Sequence, residues 1–126
     1  KLFYENRKKI KFKSGGDFEA SFTYIKDVVQ ICLKLINYRP KNKHEIFNIC
    51  SSKSININNL KKIFLKKYPN AKIVNIPADK ADVKDTFGSN KKITKELGFK
   101  NFTKFKIGIK NAIFWFEKRQ IEKILR

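Results

Sequence analysis

A chain of 126 residues, 41% of them hydrophobic, has room for one modest core, and its composition excludes a disordered polymer. Thirty basic residues stand against eleven acidic, a formal net charge of +19 that ordinarily suggests a nucleic-acid or anionic-membrane partner. No apolar run approaches the roughly 18 residues a membrane span needs, and the N-terminus lacks signal-peptide order, so no membrane partner and a cytoplasmic location are expected.

In chain order, "IKFKS" at 10–14 alternates apolar and basic residues as an edge strand does, and Gly15 and Gly16 supply a turn. "FTYIKDVV", Phe22 to Val29, opens with strand-forming residues and passes into a helix predicted over Asp27 to Asn37. That helix carries Val28, Ile31, Cys32, Leu35 and Ile36 at helical spacing, with Asp27 near its start, where a carboxylate complements the dipole. It should stop near "NYRP" because a proline disfavours helix in the residue before it.

"EIFNIC" at 45–50 reads as a strand buried on at least one face, and a second helix is predicted over Asn58 to Tyr68, with Leu60, Ile63, Phe64 and Leu65 inward. "KIVNIPA" at 72–78 gives a further strand ended by Pro77, followed by a charged loop over 79–86. A short helix near 89–97 is closed by Gly98 as a left-handed cap. The last 24 residues repeat Phe105, Ile109, Ala112, Ile113, Phe116, Ile121 and Ile124 at three- and four-residue steps, a long amphipathic helix with Trp115 and Phe116 expected in a core or interface. Strands alternating with helices make the chain α/β, a single partial domain over 1–126.

Twenty-six of the thirty basic residues are Lys and four are Arg, whereas base-edge and bidentate phosphate recognition favour the forked guanidinium. The lysines are also spread along the chain, and their excess accompanies many Asn, Ile and Phe residues, as an AT-rich coding sequence would give. No specific nucleic-acid partner is therefore expected. Cys32, Cys50 and the single His44 have neither the spacing nor the partners of a metal site, so no metal is expected.

These pieces resemble, in order and spacing, the C-terminal part of the extended short-chain dehydrogenase/reductases, most closely the NAD-dependent UDP-glucuronate and UDP-glucose type 4-epimerases. "FTYIKDVV" is similar to that family's "RDFTYIDDVV", "HEIFNICSS" to its "YNIGS" strand, and "SININNLKKIF" to the helix that follows. "IPADKADVKDTFGSNKKITKELGF" resembles the segment around "G-D-V", and "GIKNAIFWF" resembles the closing "G-I-x-x-x-V-x-W-Y". The resemblance implies the small substrate-binding region of such an enzyme, with the N-terminal Rossmann half absent. NAD would be bound by that half, the N-terminal NAD-binding domain of the same enzyme, and the full-length parent could form a homodimer.

By resemblance, the parent oxidises a UDP-sugar at C4 and returns the hydride to the other face of a rotated keto intermediate. Asp82 falls on the aspartate of "G-D-V", which commonly accepts hydrogen bonds from the nucleotide ribose; Thr86, Lys80 and Lys84 would help bind the nucleotide, and Tyr24 would stand beside the cleft. The family's diphosphate arginine is replaced by Ala20, and the next residue is Ser21. Asp79 takes the place of a second arginine, Lys26 replaces an acid, Cys50 a glycine and Ser89 an aspartate.

The five glycines never form the glycine-rich turn that a dinucleotide requires. No catalytic residue is expected within the chain: of two Tyr-x-x-x-Lys spacings, Tyr4 with Lys8 lies too near the opening motif, and Tyr68 with Lys72 is interrupted by Pro69. With 26 lysines in 126 positions and four tyrosines, about one such pair arises by chance. The chain begins at Lys1 and contains no methionine, so a processed product or a piece of something longer is expected. Two other readings stand beside the enzyme part: a stand-alone basic module that binds RNA or another anion, and a truncated, non-catalytic remnant.

Overall fold

The computed structural model describes residues 10–81 and 83–124, and its four short strands and four helices confirm the α/β class. Tyr4, Lys8 and Asp82 lie outside the described residues. The chain divides into two compact units, one formed by residues 10–21 and 53–87 and the other by residues 22–52 and 88–124.

In the first unit, β1 (Ile10–Lys13) pairs in parallel with β4 (Ile73–Ile76), Ile10 opposite Ile73 and Lys13 opposite Ile76. β2 (Glu19–Ser21) pairs antiparallel with β3 (Ser54–Asn56), and β3 runs directly into α2 (Ile57–Lys67). The start of α2 is built from local polar chemistry. The Asn56 side chain accepts from the Asn58 N–H at 2.9 Å, and the Ile57 N–H donates to the Phe18 carbonyl at 3.0 Å, satisfying two amides near the helix start.

Between β1 and β2 the chain reverses through Ser14, Gly15 and Gly16, all with positive φ. Gly16 has φ +84° and is buried, and a Cβ there would sit 3.2 Å from Asn58 Oδ1, so turn and helix approach each other where a side chain would intrude. Lys61 reinforces the approach, donating to the Gly15 carbonyl at 3.2 Å and lying 5.6 Å from the centroid of the Phe12 ring. Ile57 is the buried residue of α2, while the expected Leu60, Ile63, Phe64 and Leu65 are half-buried.

In the second unit, α1 (Ile25–Ile36) begins two residues earlier than predicted, because the Tyr24 carbonyl already accepts from the Asp27 and Val28 N–H groups. The strand expected at Phe22–Tyr24 is absent: β2 ends at Ser21, before the motif begins. α3 (Lys91–Leu97) ends as predicted on Gly98, with φ +64°. Ile31, Ile93 and Phe99 are buried together, with Leu35, Phe47, Ile49, Leu97 and Phe102 packed around them and Phe99 edge-on to Phe102 at 4.9 Å.

Two further expectations need correction. Residues 45–50 form no strand, since no ladder pairs with them among the described residues; backbone pairing, not side-chain composition, makes a strand. α4 (Phe105–Ile124) is the expected long helix, yet Trp115 is exposed and Phe116 only half-buried, because apolar residues are distributed around the helix and not gathered on one face.

Asp27 is buried, and its carboxylate accepts from the Thr103 N–H at 2.8 Å and from the Thr103 hydroxyl at 2.7 Å, tying the first turn of α1 to the approach to α4. Asp27→Ala leaves both donors without their partner, and equilibrium unfolding in urea should show a loss of about 2 kcal/mol, whereas an exposed-site control such as Lys34→Ala should lose almost nothing.

A second polar cluster fixes residues 38–47. Glu45 accepts from the Lys41 N–H at 2.7 Å and from the Tyr38 hydroxyl at 3.1 Å, and it pairs with Lys92 at 3.2 Å. The Lys41 backbone hydrogen bond, followed by the Lys92 contact, holds the Glu45 carboxyl below its usual range, partly offset by desolvation. A folded-state value below the unfolded one means the stabilisation is present above the unfolded pKa and is lost as pH falls through the folded one. Thermal midpoints measured downward from pH 7 should therefore drop below about pH 4.5, and Glu45→Gln should flatten that limb.

Candidate functional site

The predicted nucleotide-binding loop belongs to the first unit. A cleft of about 460 Å³ is lined there by Lys13, Ser14, Asp17, Phe18, Ala78, Val83 and Lys84. Lys84 therefore faces a cavity. Lys80 is exposed in the same loop but does not line the cleft, and Asp82 lies outside the described residues.

Thr86 is placed by its backbone: its N–H donates to the Glu19 carbonyl at 2.9 Å, and its carbonyl accepts from the Ser21 N–H at 2.8 Å, a single parallel bridge centred on Ala20. The neighbouring Asp85 carboxylate accepts from the Glu19 N–H at 2.9 Å. These bonds anchor the end of the loop to β2, so Thr86 marks a fixed point from which Lys84 is presented.

Asp79, whose negative charge would repel a phosphate, is paired with Lys13 across the top of the β1–β4 pair. The pair sets the Asp79 charge against that of Lys13, which lines the cleft. Its two side chains are largely exposed, so its own stabilising effect is small. Lys13, Ser14, Asp17 and Phe18 carry no motif that marks them as site residues in the sequence; the double glycine that follows Ser14 is the signal that the chain turns back there.

Tyr24 belongs to the second unit, where a mostly apolar groove of about 570 Å³ runs along Phe22–Lys26 and one side of α4, reaching Ile109, Ala112 and Trp115. Phe22 and Phe105 meet with ring centroids 5.3 Å apart. Gly108 allows the approach: a Cβ on it would lie 3.4 Å from Tyr24 Cδ2. Tyr24 thus packs a helix against its ring and caps α1 with its carbonyl.

None of the five glycines stands in a dinucleotide cradle. A dinucleotide cradle needs a strand leading through glycines into a helix N-terminus. Gly15 and Gly16 follow a strand but lead into β2, Gly98 closes a helix, Gly108 lies inside one, and Gly88 abuts Cys50. Tyr68 caps the C-terminus of α2, and Pro69 and the residues before Lys72 are not helical, so that pair cannot share a helix face. Among the described residues no cluster of three or more His, Cys, Asp or Glu could hold a metal ion, and no helix is long and apolar enough to cross a membrane.

No family model matches the chain. It is 32% identical over 111 residues to an uncharacterized protein of Methanocaldococcus jannaschii, a match that covers 86% of this chain and 33% of the relative. Among solved structures it is similar to the UDP-glucose 4-epimerase of Thermotoga maritima, solved with UDP-glucose, at a TM-score of 0.80 and 21% identity over 94% of this chain and 37% of that one. An NAD-dependent NDP-hexosamine 5,6-dehydratase of tunicamycin biosynthesis superimposes at a TM-score of 0.78 with 21% identity, over 93% and 38% of the two chains. The UDP-glucuronic acid 4-epimerase of Bacillus cereus, in complex with NAD, gives 0.67 at 17% identity over 85% and 33%.

These likenesses establish the fold, one found within NAD-dependent nucleotide-sugar epimerases and dehydratases. The chain spans about a third of the curated relative it matches and less than two-fifths of each of these structures.

The close approach at Gly108 gives a test of the Tyr24 packing. Gly108→Ala should alter the unfolding free energy by less than about 0.5 kcal/mol, since the gain in helix propensity offsets the mild crowding of an added methyl. Gly108→Val should cost about 1–3 kcal/mol by driving a branched side chain into the Tyr24 ring, and Tyr24→Ala in the same background should remove much of that extra cost.

Proposed function

We propose that this chain is the C-terminal substrate-binding portion of a longer NAD-dependent nucleotide-sugar epimerase or dehydratase. The observation that carries the reading is the likeness of 93–94% of the chain, at TM-scores of 0.78 and 0.80, to two enzymes of that kind. The ordered motifs of the sequence support it independently.

On this reading a UDP-sugar or related nucleotide sugar is the partner. Asp82 offers two acceptor oxygens to the ribose hydroxyls. Lys84, on the cleft, and Lys80, beside it, act as point charges toward the diphosphate, substituting for the forked guanidinium that Ala20 cannot supply. Thr86 fixes the loop that carries them, and Tyr24 positions the start of α1. NAD and the proton-transferring groups belong to the remainder of the longer polypeptide, so these residues bind and orient and leave the proton and hydride steps to it. The biological setting that fits is the making of activated sugars for polysaccharides, in the cytoplasm.

The net charge of +19 favours a second reading, a basic anion- or RNA-binding module. Calorimetric titration separates the two. UDP-glucose or UDP-glucuronate should bind saturably and more tightly than inorganic polyphosphate, and Asp82→Asn should weaken binding about tenfold, which corresponds to about 1.4 kcal/mol. Equal affinity for UDP, RNA and polyphosphate, with steep salt dependence and no effect of Asp82→Asn, would favour the second reading.

A further inference from the structure

α4 is the longest helix of the described residues, and it is apolar on more than the side that packs. Phe105, Ile109, Ile113 and Phe116 are half-buried and mark its inward side. On the opposite side Ile107, Phe114 and Ile121 are each more than half exposed. They stand seven residues apart, a step that drifts only about 20° around a helix, so the three form one row about 21 Å long.

The gaps in that row are filled by positive charge. Lys110 and Lys118 stand four residues before and after Phe114, and each is three residues from the neighbouring isoleucine. The outer face therefore runs Ile107, Lys110, Phe114, Lys118, Ile121 as successive helical neighbours. Lys104 and Lys106 extend the charge at the start of the helix. All four lysines are exposed, and none is in an ion pair among the described residues. Of the acids in α4, Glu117 is half-buried and Glu122 follows the last isoleucine of the row.

That pattern selects what the face can meet. A helical partner in a coiled coil needs apolar residues at both seam positions, and here the residues between the apolar ones are lysines. A second copy of this chain would set the same lysines, and a charge of +19, against their equals. Single-stranded nucleic acid is met by aromatic stacking and by arginine, whereas this row holds one aromatic ring and no arginine. Arg119 lies beside the groove, 5.3 Å from the centroid of the Trp115 ring. A bilayer surface with anionic headgroups asks for the combination that is present. Its headgroup layer admits apolar side chains without a shaped pocket, and lysine stems lie along those side chains while their ammonium groups meet the phosphates.

We propose that the outer face of α4 is a docking surface for an anionic phospholipid bilayer, on which the helix lies flat with Phe114 entering the headgroup layer between Lys110 and Lys118. The lack of a spanning run, from which no membrane partner is expected, does not bear on a helix that lies on the surface. The proposal stands apart from the nucleotide-sugar reading, since α4 belongs to the second unit and the cleft to the first.

Co-sedimentation with vesicles tests this on the protein as encoded, including any polypeptide that flanks these residues. Vesicles of phosphatidylcholine and phosphatidylglycerol in equal parts should retain the protein, and vesicles of phosphatidylcholine alone should not. Net charge by itself attracts any anionic surface, so the decisive comparison holds charge constant. Lys110→Glu with Lys118→Glu should weaken binding about tenfold or more, whereas Lys62→Glu with Lys66→Glu, the same change of charge on exposed lysines of α2, should weaken it less than about threefold. Phe114→Ser, which leaves the charge unchanged, should weaken it about fivefold. Phe114→Trp in a Trp115→Phe background reads insertion directly: its emission should shift to the blue on binding and be quenched by brominated acyl chains. Equal losses for the two lysine pairs with no loss for Phe114→Ser, or a probe that brominated lipid does not quench, overturn the proposal in favour of diffuse attraction by charge. Binding to neither kind of vesicle overturns it outright, and a dimer that Phe114→Ser dissolves overturns it in favour of a second copy.

Discussion

The buried carboxylate of Asp27 is the constraint on which the second unit depends. It sits in the first turn of α1, where a negative charge suits the helix dipole, and it commits both oxygens to one residue 76 positions later. A buried charge of this kind is tolerable only when hydrogen-bonded, so the interaction fixes where the approach to α4 must run. Tyr24 and Gly108 then bring helix and ring together, and the apolar groove along Phe22–Lys26 follows from that placement.

In the first unit a different logic operates. Backbone conformation, set by Gly16 and the Asn56 cap, places Lys13, Asp17 and Lys84 around one cleft, and charge balance does the rest. Lys13 answers Asp79, and Lys84 stands on the wall of the cleft. On the proposed reading, the cleft recognises its ligand by point charges and carboxylate acceptors.

Much of this is legible in the residues. The helix patterns at Val28–Ile36 and Leu60–Phe64, the proline after α1 and the glycine after α3 all express local rules, and the structure follows them closely. What is not legible depends on partners distant in sequence. Asp27 reads as a dipole acid, and no local pattern announces Thr103 as its partner. "EIFNIC" has the composition of a strand, but a ladder requires a second strand. The two apolar faces of α1 look like one generous face until packing divides them. At the cleft, Lys84 follows from family resemblance, while Lys13 and Asp17 emerge only from the folded arrangement.

The polypeptide passes between the two units three times, after Ser21, after Ser52 and after Phe87. No single cleavage or gene fusion point can separate them, because each unit is sewn from two stretches that flank a stretch of the other. A break anywhere between residues 22 and 87 cuts through both units at once, whereas a break after Ser21 spares the second unit and one after Phe87 spares the first, so the middle of the chain is where the two units are inherited together.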